Sequence, residues 1–399
     1  MKVLVTPAHV NLDPQWGGEV AWAYNIIFRI AKDFNVQMDV VCDKSGKMIL
    51  PSNVKIFEIG FDKGDLLNKS LFYFKCFEIA KKLYKNTDLV HHMFPFGFRA
   101  GFSPLAIFGH LKNKPFVIGP IQYPQEYSDI TDYEWVSGSR GLKALLMYDL
   151  ERTAVKFIQK PIEILHEATL SEAEALVFDS RKTLKLYRNL YPDILRGKAL
   201  EVIPPGVETE QFYYVPPIKK NHFEILTVGY LLKRKGIQYL IGVMPFILKE
   251  TKNVILRVIG DGPYKVELVR LVKRLSLEDH VIFQGRIPRR ETLKYYHLCD
   301  VFVLPALSTT VSVFLEAQSC GRPVIGTTAG YIPELIADGR TGFIVAKGCT
   351  EELKERVVRL LHDEELRLRM GANARRWIEE NFDWNKLARR WYNLYEALK

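Results

Sequence analysis

Short apolar runs alternate with longer amphipathic stretches along the whole chain. In the first half KVLVTPA, MDVVCD, VKIFEIG, DLVHHM, PFVIGPI, ALVFDS and ALEVIPP read as strands. Between them EVAWAYNIIFRIAKDF, KSLFYFKCFEIAKKLYK and GLKALLMYDLERTAVKFIQK carry helical periodicity. Strands separated by helices of this length predict βαβ units and parallel sheets. A Pro-rich connection, PPGVETEQFYYVPPI, then leads into Lys219, Lys220 and Asn221, and beyond it the alternation restarts with EILTVGYLL, VILRVIGDG, VIFQG, DVFVLPA, RPVIGTT and TGFIV. The pattern therefore predicts an α/β chain of two doubly wound, Rossmann-like domains, residues 1–205 and 206–382. The tail from Glu351 reads as helix throughout, with breaks expected at Gly371 and Asp383.

A length of 399 residues suits two such domains of about 200 residues each. No apolar run reaches the roughly 18–20 residues of a membrane span, and MKVLVTPAHV reads as a first strand instead of a signal peptide. The five cysteines form no CxxC pair, which predicts reduced thiols, a cytoplasmic location and neither a zinc site nor a disulfide framework.

The net charge of +10 is uneven. Residues 1–205 hold 26 Lys/Arg against 23 Asp/Glu, the remainder 30 against 23. A basic second half suits an anionic ligand. Nucleic acid is not expected, since no helix-turn-helix, RNP motif or zinc finger is present, and HExxH, GxSxG and Walker A signatures are absent as well.

The stretch Val228–Val345 concentrates the candidate chemistry. Its strands end in Gly, Lys and Glu, which suits a ligand crevice at the rim of a parallel sheet. In VGYLLKRKG, Lys235 can set an ammonium against a diphosphate, with Lys233 and Arg234 read as surface residues. In VIGDGP, Gly260 and Gly262 permit close approach of a ligand, and Asp261 can orient a loop or a ribose. In LSTTVSVFLEAQSCG, Ser308 lies before a helix whose first N–H groups, at Ser312 and Val313, can bind phosphate oxygens. Glu316 follows among apolar residues; a buried carboxylate there needs a partner, and ribose hydroxyls would provide one. The pair Gly17-Gly18 sits between the first strand and the first helix, where backbone can approach an anion. His9, His91 and His92 end strands of the first domain and are candidates for acid/base work or simple rim residues.

These segments together resemble the GT-B glycosyltransferases of family GT4. Gly17-Gly18 looks like the family's N-domain Gly-Gly loop, VGYLLKRKG like its VGRL…KG segment and VIGDGP like its donor-base segment. VIPPGVETEQF is similar to the V(I)PNGVDTxxF linker. DVFVLPA…LEAQSCGRPVIGTTAGYIPELIADGRTGFIV resembles its longest run. The resemblance implies a GT-B fold with an interdomain cleft, an acceptor-side first domain, a donor-binding second domain and a final helix from about Asp383 that returns to the first. It implies a retaining, metal-independent hexosyltransferase of nucleotide-diphosphate sugars, with no cofactor, acting on a carbohydrate or lipid-linked acceptor. Lys235, Gly17, Gly18, Ser312 and Val313 match groups that hold the diphosphate; Gly262, Ile287 and Glu316 match positions that hold base and ribose.

Three departures from the family pattern stand out. Ser308 occupies the place of the first of two paired glutamates, Tyr230 that of an arginine after VG, and Ile121 the place near a usual N-domain histidine, for which His92 or Glu126 is a substitute. A chain that binds sugar nucleotide or glycan without transferring it is the alternative these changes raise, and a sugar-nucleotide epimerase a more distant one. The segment KSLFYFKCFEIAKKLYK offers two further readings: an aromatic and lysine face for peripheral contact with a membrane surface, or a stripe that packs on the sheet.

Overall fold

The computed structural model describes the backbone of residues 1–8, 19–42, 50–60, 66–93, 101–111, 114–124, 159–309 and 311–399. Gly17, Gly18, His9, Glu126 and most of GLKALLMYDLERTAVKFIQK lie outside the described residues. The chain divides into two compact units. One comprises Met1–Pro124, Ala154–Gly206 and Trp384–Lys399, the other Gln125–Thr153 and Val207–Asp383.

The first unit is built on seven parallel strands, β1 (Lys2–Ala8), β2 (Gln37–Cys42), β3 (Val54–Glu58), β4 (Leu89–His92), β5 (Phe116–Ile121), β6 (Ala175–Phe178) and β7 (Ala199–Val202), in the order β3-β2-β1-β4-β5-β6-β7. Alternate residues feed opposite faces, as the period of a strand requires. Val3, Val5, Val40, Val117 and Val177 join a core with the helix Glu19–Phe34 and the final helix Trp384–Leu398. Leu4, Val41, Val90, Phe116 and Leu176 join a second core with Phe72, Cys76, Phe77 and Ala80 of the helix Leu66–Leu83. The aromatic stripe of that helix thus packs on the sheet, and Phe74, on its far side, is 60 % exposed. The final helix returns to this unit because Trp384, Leu387, Trp391, Leu394 and Tyr395 recur at three- and four-residue spacing and are all buried. Phe34 and Tyr392 stack at 4.3 Å where it meets the first helix.

The second unit contains β8 (Phe223–Val228), β9 (Val254–Ile259), β10 (Val281–Gly285), β11 (Val301–Val303), β12 (Val324–Thr327) and β13 (Gly342–Val345), all parallel, in the order β10-β9-β8-β11-β12-β13. The order reverses between β8 and β11, which makes the rim beyond Val228 and Val303 a topological switch point, the place where open parallel sheets bind ligands.

The tail breaks differently from the expectation at Gly371. The helices run Thr350–His362, Glu364–Asn381 and Trp384–Leu398, so the breaks fall at Asp363 and Asp383, and Gly371 lies inside the middle helix. Asp363 ends one helix and caps the next by accepting from the Leu366 N–H at 2.8 Å. Gly371 is there for packing: a Cβ on it would sit 2.3 Å from the Gly321 carbonyl oxygen.

Candidate functional site at the switch point of the second sheet

Three rim loops interlock where the strand order reverses. After β8, Leu231 and Leu232 turn into the core while Tyr230 stays 44 % exposed. The Leu231 N–H donates to the Asp261 carbonyl at 3.0 Å and the Tyr264 N–H to the Leu231 carbonyl at 3.0 Å, so the loops after β8 and β9 are zipped by backbone. This tight contact explains the glycines of VIGDGP. A Cβ on Gly260 would lie 1.9 Å from the Gly229 oxygen, and one on Gly262 2.6 Å from the Leu231 oxygen. They are read from sequence as making room for a ligand; in the structure they also make room for the neighbouring loop. Asp261 orients that turn, accepting from the Gly262 N–H at 2.9 Å and lying 3.7 Å from Lys265.

The basic triplet forms a short 3-10 turn, Lys233–Lys235, closed by Gly236 at φ 73°. Gly236 is needed twice over: its left-handed backbone disfavours a side chain, and a Cβ would stand 1.8 Å from the Pro305 carbonyl oxygen. The loop after β11 is thereby pressed against this turn, and the Leu307 N–H donates to the Arg234 carbonyl at 2.7 Å. Arg234, read from sequence as a surface residue, is half-buried and donates through Nη1 to Ser308 Oγ at 3.1 Å. Ser308, Lys235 and Arg234 therefore share one edge of the rim.

The helix Ser312–Ser319 starts beside Ser308 with no side-chain cap at its N-terminus. It ends in a Schellman motif: Arg322 N–H to Ala317 O at 3.0 Å, Gly321 N–H to Gln318 O at 2.9 Å, and Gly321 at φ 72°. Ser312 and Val313 are half-buried at its start, whereas Glu316 lies in its interior and is 4 % exposed.

The partner that Glu316 requires is supplied by the protein. Arg289 donates Nε to Glu316 Oε1 at 2.7 Å and uses its other nitrogens on Glu208, Nη2 to Oε2 at 2.7 Å and Nη1 to Oε1 at 3.2 Å. Tyr296 donates its hydroxyl to Glu316 Oε2 at 2.8 Å, and the Arg289 guanidinium lies over the Phe212 ring at 4.8 Å. Burial pushes the Glu316 carboxyl up, against the pull of Arg289 and Tyr296. Burial also works against the Arg289 charge, but the two carboxylates outweigh it and hold the guanidinium above its ordinary range. Arg289, Tyr296 and Glu208 are the residues that sequence reasoning missed. A carboxylate in an apolar helix announces that a partner exists, but Glu208 and Arg289 are 81 positions apart and share no local pattern.

Ile287 is half-buried in the loop after β10. His92 corrects an expectation: it is fully buried at the end of β4, and burial, with His91 and His166 nearby, pushes its pKa down to about 3. The imidazole is therefore enclosed and not displayed at the rim. His91 is likewise buried, bonded to Tyr395 Oη at 2.6 Å and the Gly119 carbonyl at 2.8 Å, and serves to seat the final helix. Among the described residues no group of three or more His, Cys, Asp or Glu side chains is placed to hold a metal ion, and no helix is long and apolar enough to cross a membrane.

Comparison with known proteins bears on the family and the fold of this region. Residues 210–377 match the family model described as "Glycosyl transferases group 1", which takes in all six strands of the second sheet. That region is similar to this family, and the resemblance to GT-B glycosyltransferases of family GT4 holds. The GDP-mannose-dependent alpha-(1-6)-phosphatidylinositol monomannoside mannosyltransferase of Mycolicibacterium smegmatis is 29 % identical over 231 residues, 54 % of this chain and 60 % of its own length. The N-acetyl-alpha-D-glucosaminyl L-malate synthase of Bacillus anthracis is 32 % identical over 179 residues, 45 % and 46 % of the two chains. The chain thus spans about half the length of the curated relatives it matches. Among solved structures, the sucrose-phosphate synthase of Thermosynechococcus elongatus superposes with a TM-score of 0.71 at 18 % identity, over 100 % of this chain and 98 % of that one. HepE of Anabaena in complex with UDP gives 0.68 at 18 % identity over the whole of both chains. The fold is GT-B, with two parallel-sheet Rossmann-like units.

Proposed function

We propose that the chain is a retaining, metal-independent glycosyltransferase that moves a hexose from a nucleotide-diphosphate sugar to a glycan or glycolipid. The observation that carries this reading is the coincidence of the family match over residues 210–377 with a basic, glycine-packed rim at the switch point between β8 and β11. The mycobacterial relative is named for GDP-mannose and a phosphatidylinositol mannoside, which supports a hexose donor and a lipid-linked acceptor here. A peripheral contact with a lipid surface would suit such an acceptor.

In the proposed reaction the bond between the anomeric carbon and the leaving phosphate oxygen breaks as the acceptor oxygen bonds to that carbon from the same face. The acceptor's proton passes to the leaving phosphate. Charge grows on the diphosphate, so the groups that matter are donors fixed in advance around it. Lys235 and the first N–H groups of the helix Ser312–Ser319 are assigned that role. Gly262 and Ile287 border the base. Glu316 is assigned the ribose: each of its oxygens already takes one donor and retains a lone pair for a hydroxyl.

The test is a set of UDP-, GDP- and ADP-sugars scored by thermal shift and by release of nucleoside diphosphate. One nucleotide class should stabilise the protein, and Lys235→Ala should reduce that shift. Binding without release in the presence of acceptors would favour a non-transferring sugar-nucleotide binder, the reading that Ser308 raises; no stabilisation by any of them would defeat both.

A further inference from the structure

Arg289 divides its donors unequally between two carboxylates. The paired Nη1 and Nη2 go to Glu208, one to each oxygen at 3.2 and 2.7 Å, while Nε alone goes to Glu316 Oε1 at 2.7 Å. A guanidinium whose task was only to neutralise the more buried carboxylate would turn its fork that way, since a two-point pair is the stronger one. Glu316 is the more buried, at 5 % against 13 % side-chain exposure, yet it receives the single bond. The fork on Glu208 and the Phe212 ring, 4.8 Å from the guanidinium, fix the plane in which Nε points.

Tyr296 completes the arrangement. It lies seven residues on, about two turns along the same helix Arg289–Leu298, so both donors stand on one face of one rigid element. Its ring is fully buried, with Phe212 and Phe302 each at 6.0 Å, and its hydroxyl donates to Glu316 Oε2 at 2.8 Å. Among the described residues each Glu316 oxygen thus takes one donor, from a separate residue. An ionised carboxylate has about four acceptor positions, so one donor on each oxygen leaves a position per oxygen, side by side. Two vicinal hydroxyls in cis match that pair. The loop that leads into Arg289 also carries Ile287, the residue assigned to the base.

We propose that Arg289 and Tyr296 are positioning residues for Glu316, setting its carboxylate so that one acceptor position on each oxygen meets one of the two ribose hydroxyls of the donor; this rests on the nucleotide-sugar reading above. Discrimination for ribose then belongs to the helix Arg289–Leu298 as much as to Glu316 itself.

The experiment is calorimetric titration of the full chain with GDP, UDP and their 2′,3′-dideoxy counterparts, read as the ratio of ribo to dideoxy affinity. Wild-type, Arg289→Gln, Arg289→Lys, Tyr296→Phe and Leu360→Ala proteins are compared, the last a core change in the helix Thr350–His362, with thermal melting of each. For whichever diphosphate binds, wild type should prefer the ribo form by about 10- to 100-fold, the worth of hydrogen bonds to a charged acceptor. Arg289→Gln should bring that preference to within about threefold of unity and leave dideoxy affinity within about threefold of wild type. Tyr296→Phe should lower the preference severalfold, Arg289→Lys should keep more of it than Arg289→Gln, and Leu360→Ala should leave it unchanged. A wild-type ratio in Arg289→Gln would overturn the proposal, as would ribo and dideoxy affinities that fall together, the mark of a merely structural role. Should Arg289→Gln fail to fold, Tyr296→Phe decides, since it removes only a hydroxyl: an unchanged ratio there refutes the positioning role. A wild-type chain that binds a diphosphate without preferring the ribo form refutes the ribose assignment of Glu316, and one that binds neither diphosphate refutes the donor reading; both results lie in the wild type, apart from any difference among variants.

Discussion

Replacing Arg289 by alanine should be among the most damaging single changes in the second unit. The guanidinium is 10 % exposed, and the carboxylates of Glu208 and Glu316 that it joins are 13 % and 5 % exposed. Its removal leaves two carboxylates in a poorly solvated site, with Tyr296 the one remaining side-chain donor to Glu316 among the described residues, and takes a cation from above the Phe212 ring. Deleting one partner of a buried ion pair costs about 3–5 kcal/mol. At about 2–4 °C per kcal/mol for a unit of this size, melting should fall by about 6–20 °C. Calorimetric scanning of wild-type and variant proteins at neutral pH measures it directly. Arg289→Met combined with Glu316→Gln should recover part of the loss, because the double variant no longer strands a charge at Glu316. An Arg289→Ala protein that melts within about 1 °C of wild type would refute the reasoning and return Glu316 to a role independent of Arg289.

Two further outcomes follow from the same structure. His91 and His92 are buried with pKa values pushed down to about 4 and about 3, whereas an unfolded histidine takes its proton near 6.5. The unfolded chain therefore binds more protons below pH 6.5. Stability should fall as pH drops from 7 to 5, by about 2 kcal/mol for each of these histidines, and urea titrations at the two pH values should register it; equal stability at both would contradict their burial. Gly236→Ala should strain the left-handed backbone and drive a methyl into the Pro305 carbonyl, at a cost above about 1 kcal/mol. Because that contact shapes the rim, nucleoside diphosphate affinity measured by calorimetry should fall as well, and a variant equal to wild type in both would show that the loops are not held as described.

Much of the architecture was legible from apolar periodicity, since the central strands of both sheets are buried on both faces and read as mainly apolar runs. The runs ALVFDS and RPVIGTT, for example, contain β6 and β12. Gly371 misled because a helix-breaking residue and a helix-packing residue look alike until the neighbouring Gly321 is known. The glycines of VIGDGP carry a constraint of the same kind: sequence shows that backbone comes close there, but not that Gly229 and Leu231 are among the groups that approach. His92 read as a rim residue because it ends a strand, and only tertiary packing encloses it. Arg234 read as solvated because its neighbours are basic, and its turn toward Ser308 depends on a contact 74 positions away.

The central claim, that the switch point between β8 and β11 receives the nucleotide of the donor, is tested most directly by hydrogen exchange of the full chain. Backbone amide protection is compared with and without a saturating nucleoside diphosphate. Protection should rise in residues 229–236 and 304–313, the two interlocked loops and the start of the helix at Ser312, and should not rise there in Lys235→Ala at the same concentration. Protection confined to other segments, or unchanged throughout under conditions where binding is measured, would contradict the account.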